Sequence, residues 1–174
     1  MNIRPYKKGD ESQIVWLINN TWKTAYSHIF PSEVFEERER TIDERISLFG
    51  KNLEKFKRIC FVAEENSKII GVLVGILNSE IEQFDELGYA RINILYIDKD
   101  FQHFGIGKKL VDEFVGVLKQ KGITKYLIGV LKENKQARCA YEKWGGILTD
   151  YTEGFVVSEK SYDEVFYKYE IKSY

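Results

Sequence analysis

An apolar run, Tyr89 to Ile97 (YARINILYI), is followed by a short polar loop, an amphipathic stretch and a second apolar run, Lys125 to Leu131 (KYLIGVL). In the intervening stretch Ile106, Leu110, Phe114 and Leu118 recur every four residues with Val111 and Val115 beside them, the stripe of a helix that buries one face. This predicts a strand, a helix from Gly105 to Lys121, and a second strand. A chain that returns through a helix enters the sheet in the same direction, so the two strands are parallel and residues 89 to 131 form a right-handed crossover.

The flanking segments add antiparallel strands and more helices. Asn2 to Tyr6 reads as short and extended, since Pro5 disfavours helix at the residue before it. Asp10 opens a helix with Gln13 as the reciprocal half of a capping box, and Ile14, Val15, Leu17, Ile18 and Trp22 give it a buried stripe. Pro31 ends that helix and starts one charged helical stretch from Ser32 to about Phe56. Arg58 to Glu64 and Lys68 to Leu77 form a hairpin turning at Asn66 and Ser67. Residues 78 to 88 read as an acidic loop. A short helix from Asn134 to Trp144 and two strands, Ile147 to Val157 and Glu164 to Ile171, complete the chain. The expected fold is α/β (α+β): a mixed, mostly antiparallel sheet of six to seven strands flanked by helices, in a single domain over residues 1–174.

Composition excludes several partners. Lys plus Arg (26) nearly balance Asp plus Glu (27), so no basic excess points to nucleic acid and no acidic run forms a tail. Met1-Asn2-Ile3-Arg4-Pro5 lacks the apolar core of a secretory signal. The longest apolar run, Ile69 to Leu77, is broken by Gly71 and Gly75 and is too short to cross a bilayer. A soluble, cytoplasmic protein is expected, as a monomer or homodimer, with no membrane partner and no metal. Cys60 and Cys139 have no close spacing and read as two buried free thiols.

Chemistry concentrates at Gln102-His103-Phe104-Gly105-Ile106-Gly107, between the strand ending at Ile97 and the helix from Gly105. A helix N-terminus carries about half a positive charge and up to four unpaired N–H groups, and glycines let the backbone approach an anion closely. Two nucleotide-binding alternatives fit poorly. A P-loop needs GKS or GKT, whereas Gly107 is followed by Lys108 and Lys109; a dinucleotide fingerprint needs a third glycine and an acidic residue about 20 positions on.

The longer string from Leu95 to Gly107 resembles the coenzyme A signature of the GCN5-related N-acetyltransferase (GNAT) superfamily, Q/R-x-x-G-x-G/A after an apolar strand. The resemblance covers most of the chain and is strongest from Tyr89 to Gly146; Thr21-Trp22 and Tyr26 also look like the first helix of bacterial members. It implies the acyl-CoA N-acyltransferase fold, acetyl-CoA as donor and an amine acceptor. It further implies that main-chain N–H groups of Gln102, His103, Phe104, Gly105, Ile106, Gly107 and Lys108 hold the pyrophosphate. Leu95, Tyr96 and Ile97 would pair with the pantetheine amides, as unpaired groups on a splayed strand need partners. His103 stands where Gly or Arg is frequent, and Lys99 where proline is usual; His103 itself reads as exposed.

Asn134 to Gly146 resembles the family's N-x-x-A-x-x-x-Y-x-x-x-G-F segment, with Gly146 where phenylalanine is usual. Asn134 is a good N-cap by its own chemistry, and the resemblance gives it and Ala137 a coenzyme contact. Tyr141, two turns along the same face, is implied to protonate the leaving thiolate: a phenol of pKa about 10 can do so for a thiol of about 8.5. The base is not legible. The family often uses a glutamate on the central strand, where this chain carries Arg91 and Asn93. Asn93 would order water, the acidic loop (Glu80, Glu82, Asp85, Glu86) offers carboxylates, and Arg91 reads either as solvent-facing or as a contact for an anionic acceptor. Trp22, Tyr26 and His28 are candidates for the acceptor side, by packing, cation–π contact or, for His28, proton transfer. No Cys or Ser nucleophile has a plausible setting, so direct transfer is expected. The alternative is a coenzyme A-binding sensor without catalysis.

Overall fold

A computed structural model describes residues 1–172 of the protein. Its strands are β1 (Asn2–Pro5), β2 (Ile59–Glu65), β3 (Lys68–Ile76), β4 (Tyr89–Ile97), β5 (Lys125–Leu131), β6 (Ile147–Val157) and β7 (Lys160–Glu170). The helices are α1 (Glu11–Tyr26), α2 (Ser32–Arg40), α3 (Ile42–Lys55), α4 (Glu82–Asp85), α5 (Ile106–Gln120) and α6 (Lys135–Lys143). The seven strands follow the order β1-β2-β3-β4-β5-β7-β6. β4 and β5 run parallel, as a helical return requires, while β1/β2, β2/β3, β5/β7 and β6/β7 are antiparallel. The chain divides into two compact units, Met1–Gly75 with Ile94–Phe114 and Ile76–Asn93 with Val115–Tyr174.

In the first unit α1 buries Ile14, Val15, Leu17, Ile18, Trp22 and Tyr26 and packs on α2 and α3. The expected capping box at its start does not form. Asp10 makes no side-chain cap bond to the helix; it accepts two hydrogen bonds from the Arg4 guanidinium (2.7 and 3.0 Å) and one from the Lys7 N–H. Burial works to raise the Asp10 carboxyl, but the Arg4 and Lys7 donors outweigh it and hold it below the usual range. Gln13 instead accepts from the Ile69 N–H at 2.9 Å, stitching α1 to β3. The helical stretch from Ser32 is two helices. At Thr41 both the N–H (3.0 Å) and the hydroxyl (2.9 Å) donate to the Glu37 carbonyl, a local bond that competes with helix continuation. α1 ends at Tyr26, ahead of Pro31, which opens α2.

Ile97 explains Gly71. A Cβ on Gly71 would lie 2.9 Å from Ile97 Cδ1, 3.2 Å from Leu110 Cδ1 and 3.3 Å from Ala63 Cβ, so the absent side chain is the space in which β4 and α5 seat.

The second unit has its own apolar cluster of Ile81, Phe84, Tyr89, Leu127 and Phe166, with Tyr151 against it. The segment 78 to 88 is more ordered than a loop: α4 lies within it, and Ser79, fully buried, donates to Asp85 through its hydroxyl at 2.7 Å and through its N–H. Asp85 is therefore a structural acceptor. β7 begins at Lys160 rather than Glu164 because it pairs with β6 down to Val157↔Lys160. Cys60 is buried on β2 and Cys139 is exposed, which corrects the expectation of two buried thiols. Cys139 lies two positions from the buried Tyr141, and on a helix that spacing points it to the opposite face.

Candidate active site

β4 leaves β5 early. Their parallel ladder runs from Tyr89↔Lys125 to Ile92↔Ile128, so the last five residues of β4 lie beyond it. The chain then makes a 3₁₀ turn at Lys99–Phe101 and enters α5 through two left-handed residues, His103 (φ +69°) and Gly105 (φ +76°). A left-handed φ is where glycine is favoured, which accounts for the frequent glycine at the position His103 occupies. The first main-chain bond of α5 runs from Lys109 N–H to Gly105 C=O at 3.1 Å. The N–H groups of Ile106, Gly107 and Lys108 precede it, in the turn whose donors no helix carbonyl can satisfy. Ile106 is 4% exposed and anchors this turn in the core, whereas Phe104 is 73% exposed.

Two side chains here are engaged within the turn and the helix it opens. The Gln102 side-chain amide donates to the Ile97 carbonyl at 3.1 Å, closing the loop at its base. Lys108 pairs with Asp112 one turn on. His103 is exposed, as expected. Of the three strand-end residues, Tyr96 is turned into the first unit: its hydroxyl accepts from Trp22 Nε1 at 2.9 Å, and burial holds its phenol well above the ordinary value.

In the second unit α6 starts at Asn134, whose Oδ1 accepts from the Ala137 N–H at 3.1 Å, so its capping role is realised. Tyr141 is 6% exposed and lies against Trp144 and Tyr167, ring centroids 5.6 and 5.9 Å away. The helix closes on a Schellman motif: Gly146 N–H to Tyr141 C=O and Gly145 N–H to Glu142 C=O, both 2.9 Å, with Gly145 at φ +89°. The Tyr169 hydroxyl donates to the same Tyr141 carbonyl at 2.9 Å. A Cβ on Gly146 would sit 2.6 Å from that hydroxyl, so Tyr169 occupies the space a phenylalanine would need.

Arg91 faces neither solvent nor open space. Its side chain is 13% exposed, with Glu164 at 3.4 Å, Glu153 at 3.8 Å and the Phe166 ring 4.9 Å from its guanidinium carbon. Glu164 is the residue the sequence did not reveal. Its carboxylate folds over Gly129 of β5, where an added Cβ would lie 2.9 Å from Glu164 Cδ. Burial, opposed by Arg91 and reinforced by Glu153, pushes the Glu164 carboxyl up. Asn93, on the same side of β4 as Arg91, donates to Glu80 at 3.4 Å, while its buried Oδ1 has no hydrogen-bond partner among the described residues.

In the first unit Trp22, Tyr26 and Phe30 form a three-ring cluster with centroids 5.2 to 5.5 Å apart. The cation over Trp22 is the protein's own: the Arg38 guanidinium carbon lies 3.7 Å from the ring centroid. His28 is exposed in the turn after α1 and is not one of these rings.

Residues 17–146 match the Acetyltransferase (GNAT) family. The chain belongs to this family. The match takes in the α5 turn and all of α6, and with it this GNAT protein is an acetyl-CoA-dependent N-acetyltransferase. A spermidine N(1)-acetyltransferase from Thermoplasma acidophilum is 25% identical over 168 residues, 94% of this chain and 98% of the relative. PaiA N-acetyltransferase from the same organism, solved with coenzyme A, superposes with a TM-score of 0.72 at 21% identity, covering 97% of this chain and 100% of its own. YncA from Salmonella typhimurium, solved with its cofactor acetyl-CoA, gives 0.69 at 16% identity, covering 100% and 95%. At these identities the two structures establish the fold. No helix among the described residues is long and apolar enough to cross a membrane, and no group of His, Cys, Asp and Glu among them is arranged to hold a metal.

Proposed function

We propose that this GNAT enzyme, acting as one domain over residues 1–174 in the cytoplasm, acetylates a primary amine by direct transfer from acetyl-CoA. The observation that carries this reading is the turn from Ile97 to Lys108: an apolar strand freed from its parallel neighbour runs into a helix start whose first N–H groups have no helical partner. Those donors suit a diphosphate, and the free edge of β4 at Leu95 to Ile97 suits the amides of an extended pantetheine arm.

In the reaction the acceptor nitrogen attacks the thioester carbon, the C–N bond forms and the C–S bond breaks. Tyr141 gives its proton to the departing thiolate, and the second proton that the nitrogen sheds on becoming an amide restores the phenol. An alkylammonium of pKa about 10.4 must first lose a proton, costing about 4.6 kcal/mol at pH 7. Glu164 is our candidate for the carboxylate that takes it: it is partly buried, its proton affinity is raised, and Gly129 leaves it room beside the point where β4 quits β5. The unpartnered Oδ1 of Asn93 would accept a hydrogen bond from the acceptor nitrogen or a bound water. The exposed free thiol of Cys139 accords with a reducing compartment.

Incubation with acetyl-CoA and a panel of amines, following coenzyme A release and product mass, tests the reading. Turnover with at least one amine and no acetylated protein on the way is the expected result. Coenzyme binding without turnover on any amine would instead make the protein a sensor.

A further inference from the structure

Arg38, on α2, is 8% exposed, yet among the described residues no carboxylate pairs with it. Its Nε is buried without a hydrogen-bond partner. The charged neighbour that acts on it is Arg45 of α3, another cation; burial and that repulsion together bring Arg38 down to about 10. Burial lowers Arg45 as well. Elsewhere the chain neutralises its enclosed arginines, Arg4 with Asp10 and Glu64, and Arg91 with Glu164 and Glu153. An enclosed guanidinium without a counter-charge costs several kcal/mol unless something supplies the anion. What surrounds Arg38 is the Trp22–Tyr26–Phe30 ring cluster and the Tyr96 hydroxyl, none of which carries a negative charge to neutralise it.

We infer that Arg38, supported by Arg45, binds a carboxylate carried by the acceptor, so that the acceptor is an amine with an acid group, such as an amino acid. The planar fork of Arg38 offers the two parallel donors a carboxylate takes, and Trp22 fixes the plane of that fork from one side. A polyamine does not suit this place, because it would bring further positive charge to two unneutralised guanidinium groups. The substrate named for the Thermoplasma relative is therefore not the one this site selects. That the carboxylate belongs to the acceptor rests on the proposed function; the anion site itself does not.

Calorimetry on the whole protein without donor separates the two. The probes are N-acetyl derivatives of methionine, leucine, phenylalanine and glutamate, each beside the N-acetyl derivative of its decarboxylated amine, together with coenzyme A. The acids are expected to bind roughly 10- to 100-fold more tightly than their decarboxylated partners, the range for a charge-assisted pair. Arg38→Gln should erase that margin and leave coenzyme A affinity unchanged; Arg38→Lys should keep part of it. If Arg38→Gln does not fold, Arg45→Gln should still narrow the margin, and an unchanged margin there overturns the proposal. Equal binding of acids and decarboxylated partners, or binding of none of the acids, also overturns it. A loss of coenzyme A affinity in Arg38→Gln would assign the guanidinium to the coenzyme's phosphates and overturn it too. Failure of the transfer assay with every amine would remove the enzymatic reading while leaving the calorimetric result to decide the anion site.

Discussion

Tyr141 is fixed by bonds to its own carbonyl: the Gly146 N–H and the Tyr169 hydroxyl both donate to it, and the Trp144 and Tyr167 rings flank its side chain. A phenol so held does not have to be ordered at the moment of proton transfer. Tyr141→Phe is expected to lower kcat by about 10²-fold, the lower end for a positioned acid, with a smaller change in KM for acetyl-CoA. Steady-state kinetics check this, and an unchanged kcat removes Tyr141 from the acid role. Glu164 permits a test with a sign. Its carboxyl is raised in the folded protein, so ionising it costs stability as pH climbs from the ordinary carboxylate range through the folded value. Glutamine mimics the protonated form. Glu164→Gln should therefore match or exceed the wild-type Tm at pH 8 while losing about 10²-fold or more in kcat/KM. The acid limb of the pH–rate profile should disappear with it. A variant that keeps both rate and limb assigns the proton to another group.

At the scale of elements, the strand–turn–helix unit is seated through Gly71. Its missing side chain is the room taken by Ile97 at the end of β4 and by Leu110 of α5, with the rigid Cβ of Ala63 on the third side. Gly71→Val should destabilise the protein by about 1–3 kcal/mol, the usual cost of overfilling a close-packed site, as read by denaturant melts. A neutral effect would mean that β4 or α5 shifts freely. Local bonding also explains where helices stop. Thr41 satisfies the Glu37 carbonyl with both its N–H and its hydroxyl, which splits α2 from α3, and Gly145 in a left-handed turn closes α6.

For the molecule as a whole, coenzyme binding should appear as stability. A ligand that binds only the folded state at about 100 times its Kd adds about 2.7 kcal/mol, worth roughly 5–11 °C in Tm for a chain of this size. Coenzyme A is expected to produce a shift of that order, and ATP or NAD a smaller one. In Gly105→Val, which places a branched side chain at φ +76°, the coenzyme-dependent part should shrink. If ATP or NAD stabilised more than coenzyme A, the anion site at α5 would belong to another nucleotide.

Some of this was written locally in the chain. The spacing of Ile106, Leu110, Phe114 and Leu118 required a helix, and apolar runs on either side required parallel strands; β4 and β5 lie where the sequence places them, because hydrophobic period and chain connectivity are local properties. The Asn134 cap was legible for the same reason. Pairings between distant residues were not. Asp10 promised a helix cap and became the partner of Arg4, and Arg91 read as solvent-facing or as a contact for an anionic acceptor, whereas Glu164, 73 positions away, closes on it. Arg38 carried no signal at all, being one arginine in a charged helix. Its missing counter-charge is a property of the enclosed space around it, and enclosure exists only once α1, α2 and the end of β4 have packed.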